Sequence, residues 1–175
     1  MAGHNKWKQI KDKKAKTDQG RGKLFSKLAN VISIAARENP DPKFNPSLRQ
    51  AIDQAKKHNM PAANIDRAIN RVGEGKDLEE LLIEAYGPEG VGLLVEAITD
   101  NRNRTIAEIK NIFKDFNAKM AEPGALMWAF EKSEGEYLPK FPTATPENVF
   151  KRVSSLVDAL EDHPDVGAVY TSLQK

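Results

Sequence analysis

Apolar residues in the first part of the chain recur at steps of three and four, a spacing that predicts amphipathic helices. Leu24, Leu28 and Val31 begin the first of these series. Three short helices are predicted, over residues 17–37, 47–58 and 61–72. A proline-rich segment breaks the pattern after the first helix, because proline cannot continue a helix. This part of the chain therefore predicts a small three-helix bundle.

After residue 76 the pattern indicates strands that alternate with helices. "LLIEAY", "GPEG" and "VGLLVEAIT" together predict a β-hairpin. The predicted elements are strands at 81–86 and 91–99, a helix at 103–117, strands at 125–132 and 136–141, a helix at 145–163 and a strand at 166–173. The expected fold class is α+β, in the order β-β-α-β-β-α-β. Without its first strand this order is the split ferredoxin-like arrangement.

Charge divides the chain at the same place as the apolar pattern. The net charge of +2 combines a basic half, residues 1–76, with an acidic half, residues 77–175. The basic half has 17 basic and 7 acidic side chains, and the acidic half has 10 basic and 18 acidic ones. We therefore predict two domains: a basic arm with a three-helix domain over 1–76, and an acidic ferredoxin-like α/β domain over 77–175. The basic domain is expected to bind a polyanion, and the acidic one could bind a protein partner.

The basic arm, residues 1–16, opens a 28-residue stretch with nine Lys or Arg and only two acidic residues. Flexible cations suit a phosphate backbone, and Trp7 could stack on an unpaired base. The alternative is a solvated tail whose charge only aids solubility. The candidate nucleic-acid contacts here are His4, Lys6, Trp7, Lys8, Lys11, Lys13, Lys14, Lys16, Arg21, Lys23 and Lys27.

"TDNRNRT" (99–105) lies where a predicted strand leads into a helix. Asn103 is expected to cap that helix. Arg102 and Arg104 are candidates for a second phosphate contact. They could instead form ion pairs with acidic side chains of the same domain, and the sequence favours the ion pairs slightly. The acidic candidates are Glu79, Glu80 and Glu84.

No reaction centre is predicted, and neither a metal nor a cofactor is expected. The chain has no Cys, and its three His residues lie in distant segments without metal-ligand spacing. "EDHPD" (161–165) is more simply a helix end followed by a proline stop. No run approaches the ~18 apolar residues of a membrane span, so we expect a cytoplasmic protein that does not bind membranes.

Several long segments resemble the YebC/PmpR family. They are the opening "MAGHNKWKQIKDKKAKTDQGRGKLFSKL", "NPSLRQAIDQAKKHNMPAANIDRAINR", "EAYGPEGVGLLVEAITDNRNRT" and the closing "LEDHPDVGAVYTSL". The resemblance implies a non-enzymatic, DNA-binding transcriptional regulator with a three-helix domain followed by α/β domains. Family members are usually longer, with a further α/β domain inserted in the second. Here "WAFEK" leads almost directly to the last helix, which predicts a short form without that third domain.

Two nucleic-acid targets stay open at this point. The resemblance favours duplex DNA and transcription regulation. The family that the chain resembles also includes mitochondrial translational activators and bacterial members linked to stalled ribosomes. A flexible Lys-rich arm suits irregular RNA, and no recognition helix with base-reading side chains is evident. Ribosomal RNA, with a role in translation regulation on the ribosome, is therefore the alternative.

Overall fold

The structure, a computed structural model, describes residues 18–71, 77–133 and 135–174. Its elements confirm the mixed α+β class, with five helices and an antiparallel sheet. The helices are α1 Asp18–Ala36, α2 Pro46–Lys57, α3 Ala62–Asn70, α4 Arg102–Asp115 and α5 Glu147–Glu161. The strands are β1 Glu79–Tyr86, β2 Gly92–Thr99, β3 Lys119–Met120, β4 Phe130–Ser133, β5 Glu136–Pro139 and β6 Val166–Thr171. The proposed domain boundary stays a prediction, since residues 72–76 lie outside the described ranges.

Helices α1, α2 and α3 form the predicted bundle. Their apolar faces meet in one core, and Ser33 of α1 donates to the carbonyl of Ala68 in α3 at 2.7 Å. Asn45 ties α1 to α2, because its Oδ1 caps α2 and its Nδ2 donates to the carbonyl of Ala35. The buried core residues of the three helices are Leu28, Val31, Ile32, Ala36, Leu48, Ala51, Ala55, Ile65 and Ala68.

The main sheet has four antiparallel strands in the order β3-β1-β2-β6. β1 and β2 form the predicted hairpin, whose turn closes through a 2.8 Å bond from Gly87 N to Val91 O. Helices α4 and α5 cover one face of the sheet and bury residues such as Leu93 and Val95. The opposite face packs against the β4–β5 hairpin and, at its end, against the bundle. Both faces of β2 are therefore covered, and every residue of β2 is buried.

Strand membership differs from the expected ferredoxin-like order. The segments predicted as strands over 125–132 and 136–141 do not enter the main sheet. They form a separate two-stranded hairpin over shorter ranges, and a 3-10 turn at Met127–Ala129 precedes it. On its other side from β2, β1 pairs with β3, a strand that was not predicted from the sequence. With only two residues, β3 is too short to show an alternating pattern.

Within the described residues, no helix is both long and apolar enough to cross a bilayer.

Candidate nucleic-acid interface

Only part of the predicted nucleic-acid surface lies in the described residues. The basic arm candidates His4, Lys6, Trp7, Lys8, Lys11, Lys13, Lys14 and Lys16 fall outside them. Arg21, Lys23 and Lys27 all lie on α1. Arg21 is exposed and pairs with Asp18 one turn earlier, at 2.6 Å between Nη2 and Oδ1. An exposed pair of this kind is weak, so Arg21 can turn to another anion at little cost.

Lys23 and Lys27 point toward the acidic half of the same molecule. Lys23 Nζ lies 2.6 Å from Asp162 Oδ2, and Lys27 Nζ donates to the backbone carbonyl of Glu161. Both contacts lie at the carboxyl end of α5, where free carbonyls and the helix dipole attract cations. The two lysines therefore fasten α1 to the sheet domain. Their role as nucleic-acid contacts stays a prediction.

The bundle carries other cations that make no such contact. Among the residues that the structure describes, Lys56 and Lys57 in the last turn of α2 and Arg67 on α3 are exposed, with neither an ion pair nor a side-chain hydrogen bond. We call these three the bundle cations. Arg49, by contrast, donates to the carbonyls of Pro42 and Lys43. The bundle cations are thus free to meet phosphate groups.

A cavity of about 370 Å³ lies between α1 and α3 beside Arg67. Phe25 and Met60 give it an apolar lining, and Arg67 and Arg71 add two guanidinium groups. Arg71 is held in place, because it donates to Asn30 Oδ1 at 3.1 Å and lies 3.4 Å from a carboxylate oxygen of Asp100. The cavity therefore brings together an aromatic ring, one positioned cation and one unpaired cation of the described bundle.

Arg102 and Arg104 both form ion pairs. Arg102 Nη1 lies 3.8 Å from Glu79 Oε2, one of the three predicted partners. Arg104 Nη2 lies 2.9 Å from Asp165 Oδ2 and 3.1 Å from Asp100 Oδ1, neither of which was predicted. The hydrogen bond to Asp165 raises the pKa of the Arg104 guanidinium above its ordinary value. The ion-pair alternative is thus confirmed for Arg102, while phosphate contact by either arginine stays a prediction.

The expected cap of α4 is corrected. The capping residue is Asn101, whose Oδ1 accepts from the backbone N–H of Arg104 at 3.1 Å. Asn103 lies inside the first turn and is exposed. The same turn holds a buried pair of hydroxyls, Thr99 and Thr105, at 2.7 Å between their Oγ1 atoms. Neither threonine was given a role from the sequence, because their contact depends on how the strand and helix pack.

Three possible metal ligands converge beside this turn: Glu108, His163 and Asp165. The backbone N–H of Asp165 donates to His163 Nδ1 at 3.1 Å, so Nδ1 carries no proton. Nε2 therefore carries the proton and donates to Glu108 Oε2 at 2.9 Å. With its nitrogens engaged in this way, His163 connects α4 to the end of α5 as a hydrogen-bonding residue.

Comparison with known proteins shows the family to which the chain belongs. Residues 5–75 match the family model of the TACO1/YebC protein N-terminal domain, and residues 78–134 match that of the TACO1/YebC second and third domain. The chain belongs to the TACO1/YebC family. A relative from Aquifex aeolicus (strain VF5), named "Probable transcriptional regulatory protein", is 42% identical over 175 residues, which cover 98% of this chain and 70% of the relative.

Two further relatives have the same name. The protein of Persephonella marina is 49% identical over 144 residues, and that of Trichlorobacter lovleyi is 52% identical over 136 residues. These matches cover 58% and 55% of the relatives' own lengths. The crystal structure of a conserved hypothetical protein, Aq1575 from Aquifex aeolicus, is similar, with a TM-score of 0.84 at 33% identity over 96% of each chain. The expected absence of a third domain stays a prediction.

Proposed function

We propose that this chain is a non-enzymatic, cytoplasmic regulator that binds nucleic acid through its basic half. The relatives' name, "Probable transcriptional regulatory protein", supports regulation of transcription and hence duplex DNA as the target. The observation that carries the proposal is the set of exposed bundle cations, which have no partner among the described residues. The acidic half is repelled by the same phosphates and faces away from them.

Binding occurs through the phosphate backbone rather than through base edges. A recognition helix places side chains that can hydrogen-bond to bases near its amino end. The first two residues of α3, Ala62 and Ala63, cannot do so. Arg67 follows one turn later and suits a phosphate. This predicts strong dependence on salt and weak dependence on sequence.

The test is the salt dependence of binding to a 20-base-pair duplex. Replacing Lys56 and Lys57 together by Gln removes two phosphate contacts, so the slope of log affinity against log salt becomes shallower by about 1.8. The matched control replaces Lys110 and Lys114 by Gln, which removes two exposed lysines from α4 in the acidic half. An unchanged slope in the Lys56/Lys57 variant, or an equal change in the control, contradicts the proposal.

The cavity between α1 and α3 favours a second candidate, ribosomal RNA. An unpaired base can enter an apolar cavity that has arginines at its edge, whereas a paired base in a duplex cannot. Competition separates the two targets. If folded ribosomal RNA displaces the DNA duplex at equal nucleotide concentration, and Phe25→Leu weakens only the RNA complex, ribosomal RNA is the preferred target. If random duplex DNA competes as well as the RNA does, the RNA candidate fails.

A further inference from the structure

The acidic half contains a groove at the edge of its main sheet. It has a volume of about 730 Å³ and lies between α5 and β5, beside the edge strand β6. We call it the β6 groove. Its residues fall between 136 and 174, past residue 134, where the family-model match ends. Its volume lies within the ~300–1,000 Å³ range of ligand-binding sites.

Large apolar side chains are exposed in and beside the β6 groove. Leu138 on one wall is 43% exposed, and Phe150 on the opposite wall is 45% exposed. Trp128 and Phe141 are also exposed, and their ring centroids lie 6.0 Å apart next to the hairpin. Scattered apolar residues are normal on a surface, but a group around one groove is typical of an interaction site.

Contacts within the chain support the groove. Tyr137 packs edge-on against Tyr170, with ring centroids 5.3 Å apart, and the Tyr170 hydroxyl donates to Glu96 Oε2. Beyond β6, Thr143 N donates to the carbonyl of Ser172 at 2.6 Å. The hairpin wall is therefore fixed to the sheet, and α5 packs on the sheet through its buried face. A partner would not have to order either wall on binding.

The two charged residues that line the groove are both acidic. Glu136 lies on the hairpin wall and Asp158 on the α5 wall, and no Lys or Arg is among the described residues that line the groove. An occupant that is apolar and carries positive charge would match this surface. A second copy of the chain would not, because a symmetric contact through the groove would bring two acidic surfaces together.

From the groove, its exposed apolar walls and its acidic lining, we infer that the β6 groove binds a short segment of a partner protein in which apolar residues alternate with Lys or Arg. Its apolar side chains insert between Leu138 and Phe150, and its cations face the acidic lining at Glu136. This inference does not rest on the proposed nucleic-acid function, since the groove and the bundle cations lie in different halves.

The test uses a fluorescent seven-residue peptide of alternating lysine and leucine, with binding followed by anisotropy on the full chain. We expect saturable binding that weakens at least tenfold in Phe150→Ser and in Leu138→Ser, and severalfold in Glu136→Gln. The matched control is Phe44→Ser, which changes an equally apolar exposed side chain in the basic half and leaves binding intact. Circular dichroism establishes that each variant is folded before its affinity is compared.

Two control peptides separate charge from apolar contact, and sedimentation measures whether the chain forms a dimer. A lysine–serine peptide tests charge alone and a glutamate–leucine peptide tests apolar contact alone, and both should bind at least tenfold more weakly. Equal binding of the lysine–serine peptide, or an equal loss in Phe44→Ser, overturns the inference. So does sedimentation of a dimer that Phe150→Ser dissociates, because the occupant would then be a second copy.

Discussion

At the residue scale, Asp165 connects three elements through its own atoms. Its Oδ2 accepts from Arg104 Nη2 and from Thr105 Oγ1, the latter at 2.6 Å. Its backbone carbonyl accepts from the N–H of Ile98 at 2.8 Å, and its own N–H donates to His163. A charged acceptor with several donors in a nearly buried place contributes much more than an exposed ion pair.

Asp165→Ala is therefore expected to lower the free energy of unfolding by about 2–3 kcal/mol, because it removes the charged acceptor that Arg104 and Thr105 share. The matched control is Asp162→Ala. The Asp165 side chain is 11% exposed, while that of Asp162 is 68% exposed and pairs with Lys23. The control should cost less than about 1 kcal/mol. Urea unfolding measures both, and equal losses would contradict this view of Asp165.

Tyr170 gives the protein a sensitivity to alkali. Burial, and then the nearby charge of Glu96, raise the pKa of Tyr170 well above its ordinary value of 10.0. The folded protein therefore keeps the phenol proton at a pH where the unfolded chain releases it. Tyr170 contributes its full stabilisation below about pH 10, and stability falls as the pH rises further.

We expect the free energy of unfolding to decline more steeply above pH 10 in the native sequence than in Tyr170→Phe. Urea titrations at pH 8 and pH 11 measure the difference. Tyr86→Phe is the control, because Tyr86 is an exposed tyrosine of the same sheet. If Tyr170→Phe keeps the steep decline, the sensitivity has another source.

At the element scale, α4 begins at a defined cap. Asn101 has extended backbone geometry, with φ −147° and ψ 94°, and its side chain satisfies an N–H that the helix leaves free. Asn101→Ala is expected to cost about 1 kcal/mol of stability in thermal or urea unfolding. Asn103→Ala, two residues later, should change it by less than about 0.5 kcal/mol. A larger loss in the second variant would restore Asn103 as the cap.

Elements with strong periodicity were predictable from the sequence. The helices α1, α2, α3, α4 and α5 and the strands β1, β2 and β6 lie close to their predicted ranges, since buried residues repeat along them. β3 was not predictable, because two residues carry no period. The strands of the β4–β5 hairpin were predicted, but their position outside the main sheet was not. The face that the hairpin covers depends on Leu94 and Tyr170, which lie in distant strands.

At the scale of the whole molecule, the two halves share core. Ile98 at the end of β2 and Leu78 before β1 are buried in the core cluster of the bundle. Asn30 of α1 also donates to the carbonyl of Ile98 at 3.2 Å, and Arg37 donates to that of Leu78. The charge difference between the halves could be predicted from the sequence. The contacts of Lys23 and Lys27 with the end of α5 could not be predicted, because their partners lie more than 130 residues away in the sequence.

Because the two halves share a core, a destabilising substitution in the sheet should also destabilise the helices of the bundle. Ile98→Ala is expected to destabilise the protein by about 2–5 kcal/mol and to speed hydrogen exchange in α1 and α3. Ile83→Ala makes the same change in β1, where Ile83 packs on the α4–α5 side of the sheet. It should speed exchange mainly in the sheet and its covering helices. Equal effects of both variants on α1 would contradict a specific link through Ile98.

The position of β6 in the sheet has a consequence for synthesis. β2 pairs with β1 early in the chain, but its other side is paired by β6, the last of the described strands. A growing chain therefore exposes an apolar strand with one open edge until β6 has been synthesised. Open apolar edges recruit other strands. During translation, the risk of aggregation should thus be concentrated in β2, and it ends only when β6 becomes available.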